Sequence, residues 1–482
     1  MTNKPIVRIA PSPTGYLHVG TARMAACNYL FARHYDGIFR VRIEDTDLSR
    51  SQPELIEPIL SALKWLGMQW DDEILYQSKR LDYYGKFAQQ LLENGHAYRC
   101  FSSREQLDED RKRDREAGKS LKLYRRSLQL SEGEIEKKLE AGEEYTIRLK
   151  IPEGETSFTD LVLGGISRSS DDIEDLIIAR SDGSATYNLA VVVDDHDMGI
   201  THVIRGNDHI TNTFKQIHLY RAFGWELPKF GHVPLILRPD KRKVSKRLGD
   251  KDVQRYQQEG ILPEALFNYL SLLGWSPKTE REIYTRDELV EIFDERNFNP
   301  SNAVFDEEKL LAFNFEHIQK LSGHEIATLV APLLVAANIQ SRYWFETRWD
   351  YLRKVMELLK ERARRVTDFV ELGSYFFEFD YQYDSEAEAK YFKPETAELL
   401  SSLADRFERL DEFDLSSTEK ALSDLAEERG MKRGRLIHPT RLAVSGRSKG
   451  PGLFDILVTL GKSAVVQRMR KAVDYIAEKA QS

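Results

Sequence analysis

The chain opens with a mostly apolar run, Ile6-Val7-Arg8-Ile9-Ala10, which predicts a buried strand. Pro11 to Thr21 follows and breaks that pattern. Its two prolines forbid helix early in the stretch, and its two glycines let the backbone bend or approach a ligand closely. Beyond it Met24, Cys27, Phe31 and Tyr35 recur at spacings of three and four, the period of a helix. Phe39 to Ile43 alternates as a second strand and runs into Glu44-Asp45-Thr46-Asp47. Helices are predicted over Pro53–Leu66 and Leu81–Leu92, the latter closed by Asn94-Gly95.

From residue 102 to 150 the character changes. Ser103–Lys119 and Leu130–Ala141 are charged helical patterns, while Tyr145–Ile151 alternates as a strand and Ile166 to Arg168 belong to another. Apolar runs return at Leu176–Ile178, Tyr187–Val193 and Thr201–Arg205, all read as strands, with a turn at Ser181-Asp182-Gly183 and a helix over Thr213–Phe223. Val233–Leu237 is apolar, Arg238-Pro239-Asp240 turns the chain, and the basic loop Lys241–Arg247 contains one apolar residue, Val244. Past Gly260 the pattern is mainly helical. Pro263 suits a first helical position, and Leu266, Tyr269, Leu270 and Leu273 form a stripe. From about Asn314 onward only helices are expected: Glu325–Ala336, Trp349–Arg365, Pro394–Arg406, Ser417–Glu428 and Gly461–Lys479.

Strands that end in charged clusters and lead into helices describe the ligand edge of a parallel sheet. The strand–loop–helix at Pro11–Thr21 is a ready anion site, because unpaired N–H groups and the helix dipole both favour phosphate, and His18 stands within reach. The residues allow an ordinary connection there as well. Glu44 is the first residue past a strand, whereas Thr46 and Asp47 suit a helix cap. Asp194-Asp195-His196-Asp197 fits either a metal site or a set of caps. Lys241–Arg247 fits either a charged surface loop or a lid whose ammonium groups meet a polyphosphate and stabilise a departing pyrophosphate. The charged segment reads as an insertion between two halves of a nucleotide-binding domain.

Composition narrows the class. The 482 residues, 41% hydrophobic and 31% charged, suit a globular protein of roughly three or four domains. The apolar runs are too short to span a bilayer, and Met1–Pro5 is polar and unlike a secretion signal. Two cysteines, Cys27 and Cys100, make no disulfide framework, so a reducing cytoplasmic setting is expected. No Cys/His cluster follows Cys100 at ligand spacing, so no zinc site is expected. A net charge of −8 argues against indiscriminate nucleic-acid binding. Arg429–Lys449, however, holds seven Lys/Arg and no acid, either a solvated face or a phosphate-contacting surface.

Pro11–Thr21 resembles the HIGH signature of class I aminoacyl-tRNA synthetases, and Lys243-Val244-Ser245-Lys246-Arg247 resembles their KMSKS signature. Arg8–Gly15, Arg42–Asp47, Thr186–Asn188, Val193–His196, His202–Gly206, Leu262–Leu266, Ala303–Asp306 and Gly450–Phe454 are similar to the corresponding stretches of bacterial glutamyl-tRNA synthetases. The resemblance spans essentially the whole chain. It implies an α/β fold: a Rossmann-like catalytic domain with an α+β insertion, then a stem-contact domain and an all-α anticodon-binding region. The implied boundaries are 1–100 and 175–250 for the catalytic halves, 101–174 for the acceptor-stem-binding insertion, 251–325 for stem contact, and 326–482 for two helical anticodon subdomains.

The family activates L-glutamate with ATP to glutamyl-adenylate and transfers it to the terminal adenosine of tRNA(Glu). By resemblance His18, Gly20 and Thr21 hold ATP, and Lys243, Ser245 and Lys246 close over the leaving pyrophosphate, with Mg²⁺ arriving on ATP. Arg8 and Arg205 bind the glutamate carboxylate, Glu44 faces its ammonium, and Ser12 and Tyr187 supply hydroxyls. Thr21 ends the HIGH motif and valine replaces methionine in KMSKS, both within the family's range. Some members hold zinc in the insertion, but Ser102 stands here two positions after Cys100 and zinc is not expected. Arg353, Arg362, Arg364 and Arg365 are expected on one helix, and Arg362 best resembles the position that restricts anticodon reading. A cytoplasmic monomer acting on tRNA(Glu), with tRNA(Gln) as a further substrate of a non-discriminating enzyme, completes the expectation. Other classes that share parts of the pattern are a small nucleotidyltransferase and a non-catalytic tRNA-binding protein.

Overall fold

The computed structural model describes residues 4–47, 50–116, 122–242 and 251–481. Lys243, Ser245 and Lys246 lie outside the described residues. The chain forms two compact units. One comprises Met1–Gln257 with Pro263–Leu310, the other Gln258–Leu262 with Leu311–Ser482.

In the first unit β1 (Ile6–Ile9) is followed by α1 (Val19–His34), β2 (Ile38–Ile43), α2 (Ile56–Trp65), β3 (Leu75–Tyr76) and α3 (Leu81–Glu93). Next come β4 (Ala97–Cys100), α4 (Arg104–Glu116), α5 (Glu132–Glu140), β5 (Thr146–Leu149), β6 (Glu155–Asp160), β7 (Gly164–Ser169) and β8 (Ile177–Ala179). The chain then runs through α6 (Tyr187–Asp197), β9 (His202–Gly206), α7 (Ile210–Phe223), β10 (Lys229–Val233) and β11 (Ile236–Leu237). β1 pairs in parallel with β2, β2 with β3, and β9 with β10. The Thr201 N–H donates to the Ile6 carbonyl at 3.0 Å, and the Ile6 N–H donates to Thr201 Oγ1 at 2.8 Å. These bonds place β9 beside β1, so the strands run in the order β3-β2-β1-β9-β10. The chain therefore leaves β1 toward one side and β9 toward the other. Such a switch point opens a crevice at the carboxyl ends of the two strands.

The inner strands are buried on both faces, which explains their continuous apolar character: Val7, Phe39, Val41 and Ile43 are inaccessible to solvent. α1 lies close on them through Ala22, Ala25 and Ala26, and Asn28 bonds the carbonyls of Met24 and Ile204.

The segment 101–174 is hydrogen-bonded into this architecture. β6 meets β10 in parallel at Phe230 and Asp160, β7 lies antiparallel on β6, and β5 is sandwiched between β4 and β8.

One run expected as a strand is a helix. Tyr187–Val193 forms the first two turns of α6, and Asp194 and Asp195 lie in its last turn. Leu189 through Val193 are all buried, so the run carries no polar position from which a period could be read. A short apolar stretch rich in valine then imitates a strand.

The first unit also holds α8 (Val253–Gln258), α9 (Pro263–Leu272), α10 (Arg286–Ile292) and β12 (Ala303–Val304), and the division between units falls within α11 (Glu307–Lys320); the second unit is helical. The chain continues through α12 (Gly323–Ala336), α13 (Arg342–Thr347), α14 (Trp349–Leu359), α15 (Asp368–Phe377) and α16 (Ser385–Tyr391). It ends with α17 (Pro394–Arg409), α18 (Leu415–Glu428), α19 (Gly434–Ser445), α20 (Leu453–Leu460) and α21 (Lys462–Gln481). α12 begins on a capping box made by Ser322 and Glu325. α17 and α21 pack along their length, burying Leu400, Leu403, Phe407, Val465, Met469 and Ala472.

The helix expected over Trp349–Arg365 is shorter. α14 stops at Leu359, a single 3-10 turn covers Lys360–Arg362, and Ala363 is extended. The N–H groups of Arg364 and Arg365 both donate to Asp368 Oδ2, at 2.9 and 2.8 Å, a side-chain turn that competes with helix. The four arginines are thus divided: Arg353 on α14, Arg362 on the 3-10 turn, Arg364 and Arg365 beyond it. α13, α15, α16, α19 and α20 fall outside the expected helical ranges, and α19 occupies most of the basic stretch Arg429–Lys449.

Candidate active site

A cavity of about 640 Å³ opens at the switch point. Several chain segments bound it. Arg8 to Thr14 leave β1, and His18, Gly20 and Thr21 begin α1. Glu44 to Asp47 leave β2, and Ile204 to His209 leave β9, with Tyr187 at the start of α6. Arg8, Ser12, His18, Gly20, Thr21, Glu44, Tyr187 and Arg205 therefore share one cavity, although they span almost 200 positions of sequence. Arg362 belongs to the other unit.

The loop after β1 is held by its neighbours. The Glu44 N–H donates to the Pro11 carbonyl at 3.1 Å and the Gln52 N–H to the Pro13 carbonyl at 2.9 Å. His18 is the N-cap of α1: its Nδ1 accepts from the Gly20 N–H at 3.1 Å. A neutral ring bonded this way carries its proton on Nε2. A Cβ at position 20 would stand 3.3 Å from His18 Nδ1, so glycine keeps this cap close. Leu17 and His18 also meet the residues just past the basic loop. The Val253 N–H donates to the Leu17 carbonyl at 3.0 Å, and His18 bridges to Asp252. On the near side, Pro234, Leu235 and Ile236 line the cavity. Both flanks of the segment 243–250 thus border the same site.

The charged floor of the cavity is a buried network. Arg8 forks onto Asp195, Nε to Oδ1 at 2.9 Å and Nη2 to Oδ2 at 3.2 Å. Arg42, wholly buried, donates to Asp195 Oδ1 at 2.6 Å and to Glu44 Oε1 at 3.1 Å. Burial alone would raise the Asp195 carboxyl, but Arg8 and Arg42 outweigh it and hold it at about 2. For Glu44 burial wins over Arg42 and Arg8, and its pKa lies above the usual carboxylate range. Asp194 is consumed by Gln77 Nε2 at 2.7 Å, the Tyr84 hydroxyl at 2.9 Å and Arg80 Nε at 3.0 Å. The acidic cluster at the end of α6 is therefore a set of ion-pair partners. Among the described residues no group of three or more His, Cys, Asp or Glu is arranged to hold a metal. Asp45 accepts from the Ser78 N–H and hydroxyl at 2.7 and 2.6 Å, which ties the loop after β2 to the turn before α3.

Arg205 is 7% exposed and has no carboxylate within ion-pair distance among the described residues. Its Nη2 donates to Thr213 Oγ1 at 2.6 Å and Gln216 Oε1 at 2.7 Å, while Nη1 is buried without a hydrogen bond. Burial lowers its pKa, but a guanidinium stays charged at neutral pH. An uncompensated buried cation at a cavity wall is an anion site. Nearby Tyr187 is pushed up to about 12 by burial, with Glu44 adding to it, so its hydroxyl keeps its proton. It lies 3.4 Å from His209 Nδ1. Burial, reinforced by Arg205, holds His209 at about 4, a neutral ring.

Sequence reasoning did not single out Arg42, Thr213, Gln216 or His232 as site residues, and weighed Asp195 only within a metal cluster or a set of caps. Arg42 had a usable signal: it is charged within an apolar strand, as Arg8 is. The others are recognisable only once their long-range partners are in place.

Residues 5–312 match the family model of tRNA synthetases class I (E and Q), catalytic domain, and residues 325–473 match an anticodon binding domain. The chain belongs to the class I tRNA synthetases of this E and Q group. Within it, the chain is 41% identical over 98% of both chains to glutamate–tRNA ligase 2 of Thermoanaerobacter pseudethanolicus. It is 43% identical over 97% of both to glutamate–tRNA ligase 2 of Koribacter versatilis. A crystal structure of a glutamate tRNA ligase from Elizabethkingia meningosepticum, in complex with its amino acid, superposes with a TM-score of 0.88 at 34% identity, covering 98% of this chain and 100% of that one. The mixed α/β catalytic unit and helical C-terminal region agree with the fold class expected from sequence. Among the described residues no helix is long and apolar enough to cross a membrane.

Proposed function

We propose that this chain is a glutamate–tRNA ligase, a class I aminoacyl-tRNA synthetase that joins L-glutamate to the terminal adenosine of tRNA(Glu) at the expense of ATP. The observation that carries the substrate assignment is the pairing of Arg8 and Arg205 on one cavity with Glu44 opposite them in charge. Arg205 Nη1, buried and unbonded, is a donor waiting for the γ-carboxylate. Glu44, which accepts from Arg42 and whose pKa burial raises, is the carboxylate a bound ammonium would meet. Ser12 and the Tyr187 hydroxyl complete the amino-acid subsite.

Chemistry at this site needs alignment more than protein nucleophiles. The carboxylate of glutamate attacks the α-phosphorus of ATP, the bond to pyrophosphate breaks, and the ribose hydroxyl of tRNA then displaces AMP from the acyl carbon. His18, Gly20 and Thr21, at the start of α1, hold phosphate through the helix dipole and the N–H groups that the His18 cap leaves over. Lys243, Ser245 and Lys246 are assigned to the leaving pyrophosphate by their motif, with fixed cations stabilising the charge that develops there. Mg²⁺ comes bound to ATP, which suits a site with no metal cluster among its described residues.

The helical unit is assigned to the anticodon. Arg362, on the exposed 3-10 turn after α14, is the basic side chain assigned to splayed bases there. We assign the sequence divisions 1–100, 101–174, 175–250, 251–325 and 326–482 to the two catalytic halves, acceptor-stem insertion, stem contact and anticodon reading in the order given above. A cytoplasmic monomer is the working form.

The test is charging of purified tRNA(Glu) and tRNA(Gln), each with glutamate and with glutamine. Glutamate with tRNA(Glu) is expected to react, and glutamine to fail with both, since an amide cannot satisfy the two arginines. Charging of tRNA(Gln) with glutamate would make the enzyme non-discriminating. Reaction with glutamine alone would overturn the assignment.

A further inference from the structure

We propose that Asp160 and His232 form a positioning pair that, through Thr213, fixes the guanidinium of Arg205 in the orientation that receives the substrate carboxylate. The proposal rests on the assignment of Arg205 to that carboxylate. Neither Asp160 nor His232 lines the cavity, so both act through Arg205.

The links form one continuous chain. His232 and Asp160 are both inaccessible to solvent, with Nδ1 2.6 Å from Oδ2. His232 Nε2 lies 2.8 Å from Thr213 Oγ1 and 3.4 Å from Arg205 Nε. Thr213 Oγ1 accepts from Arg205 Nη2 at 2.6 Å. These contacts have one consistent proton arrangement. Arg205 can only donate, so Thr213 accepts from Nη2 and turns its own proton to His232 Nε2, which is nearer than the His209 carbonyl at 3.3 Å. Nε2 must then be an acceptor, and the ring proton sits on Nδ1, facing Asp160. A carboxylate on Nδ1 sets this tautomer.

Charge agrees with geometry. Burial lowers the His232 pKa against the pull of Asp160, and Arg205 lowers it further. Burial would raise Asp160, but the His232 ring N–H and the N–H groups of Leu163, Val162 and His232 bring it below its usual range. The contact is a hydrogen bond from a neutral imidazole to a carboxylate. A protonated ring would set a second positive charge beside Arg205.

The two oxygens of Asp160 have separate tasks. Oδ1 accepts from the N–H groups of Val162, Leu163 and His232 at 2.9, 3.0 and 3.1 Å, which holds the turn after β6. Oδ2 is directed at the imidazole. Asparagine can keep Oδ1 on its three donors and must then present an NH₂ to Nδ1. The ring proton would move to Nε2 and confront Thr213 and Arg205. Asp160→Asn therefore leaves the turn in place and reverses the tautomer. Thr213→Val keeps the Asp160–His232 pair and removes the link to Arg205.

The experiment compares full-length wild type, Asp160→Asn, Thr213→Val and the double variant in tRNA charging, with KM for glutamate and for ATP measured separately and the melting temperature recorded. Each single variant is expected to raise KM for glutamate about tenfold, the loss of roughly one charge-assisted hydrogen bond, while KM for ATP is unchanged. The double variant is expected to be no worse than the singles, because both break one chain. An unchanged glutamate KM in Thr213→Val, or equal rises in both KM values, would overturn the proposal. Should Asp160→Asn fail to fold, Thr213→Val decides alone. A wild type that does not use glutamate removes the substrate assignment and this proposal together, whereas normal charging by wild type and both variants removes the proposal only.

Discussion

Each of the two units buries an arginine beside other polar groups, and they use it differently. In the helical unit Arg468 is 4% exposed, and its Nη1 and Nη2 donate to the carbonyls of Val444, Tyr375 and Glu378 at 2.7 to 2.8 Å. It ties three chain segments together and has no terminal nitrogen to spare. In the catalytic unit Arg205 keeps Nη1 unbonded at the wall of a cavity. Burial of a charge does not by itself mark a site. What marks this one is a terminal nitrogen left unbonded on a buried guanidinium that lines a cavity.

The largest expected effect tests whether the network under the cavity is needed by the fold. Asp195→Ala would leave Arg8 and Arg42 buried around an empty position, and loss of one partner from such a group costs about 3–5 kcal/mol. Urea unfolding should show that loss. A change under about 1 kcal/mol would mean that water or Glu44 replaces the carboxylate.

The comparison of the two arginines can be broken directly. Arg205→Met is expected to lower kcat/KM for glutamate by about a hundredfold, close to 3 kcal/mol of transition-state binding, with little change in melting temperature. Arg468→Met should do the reverse, costing about 2–3 kcal/mol of stability through three stranded carbonyls while KM for glutamate stays at the wild-type value. If both substitutions lower stability equally, the distinction fails.

The effect of acid is spread over several rings. Burial holds His202, His209 and His218 of the catalytic unit and His317 of the helical unit at about 4. A histidine lowered in the folded state takes up its proton first in the unfolded chain. Its contribution is whole above about pH 6.5 and is lost as the pH falls toward 4. The full shift corresponds to about 3 kcal/mol for a buried ring such as His218 or His317, and less for the half-buried His202 and His209. Asp195, lowered to about 2, adds a second loss only below about pH 4. Hydrogen exchange at pH 7 and pH 5, corrected for intrinsic rates, should therefore show protection falling more steeply in the catalytic unit. Equal falls would contradict it.

Much of the site was legible in sequence because its parts sit at element ends. The Pro11–Thr21 loop, Glu44 past a strand and Arg205 at the end of another could be placed from apolar runs alone. The support beneath them was not legible, because Asp195 is separated from Arg42 by more than 150 positions and from Arg8 by more. Tyr187–Val193 was misplaced for the opposite reason: from Leu189 to Val193 every position is buried and apolar, which leaves nothing to distinguish a period of two from 3.6. Arg353 to Arg365 was read as one helix because Asp368, whose carboxylate ends it, stands outside the run it interrupts.

β6 sets a limit on how far this enzyme could be pared down. Residues 101–174 look separable in sequence, a charged stretch between two apolar halves. Excising them and splicing the ends with a short linker would uncover the edge of β10 as an adhesive strand and leave the His232 ring facing an empty position. A minimal catalytic core of this chain must retain Glu155 to Leu163, whichever RNA contacts are dispensed with.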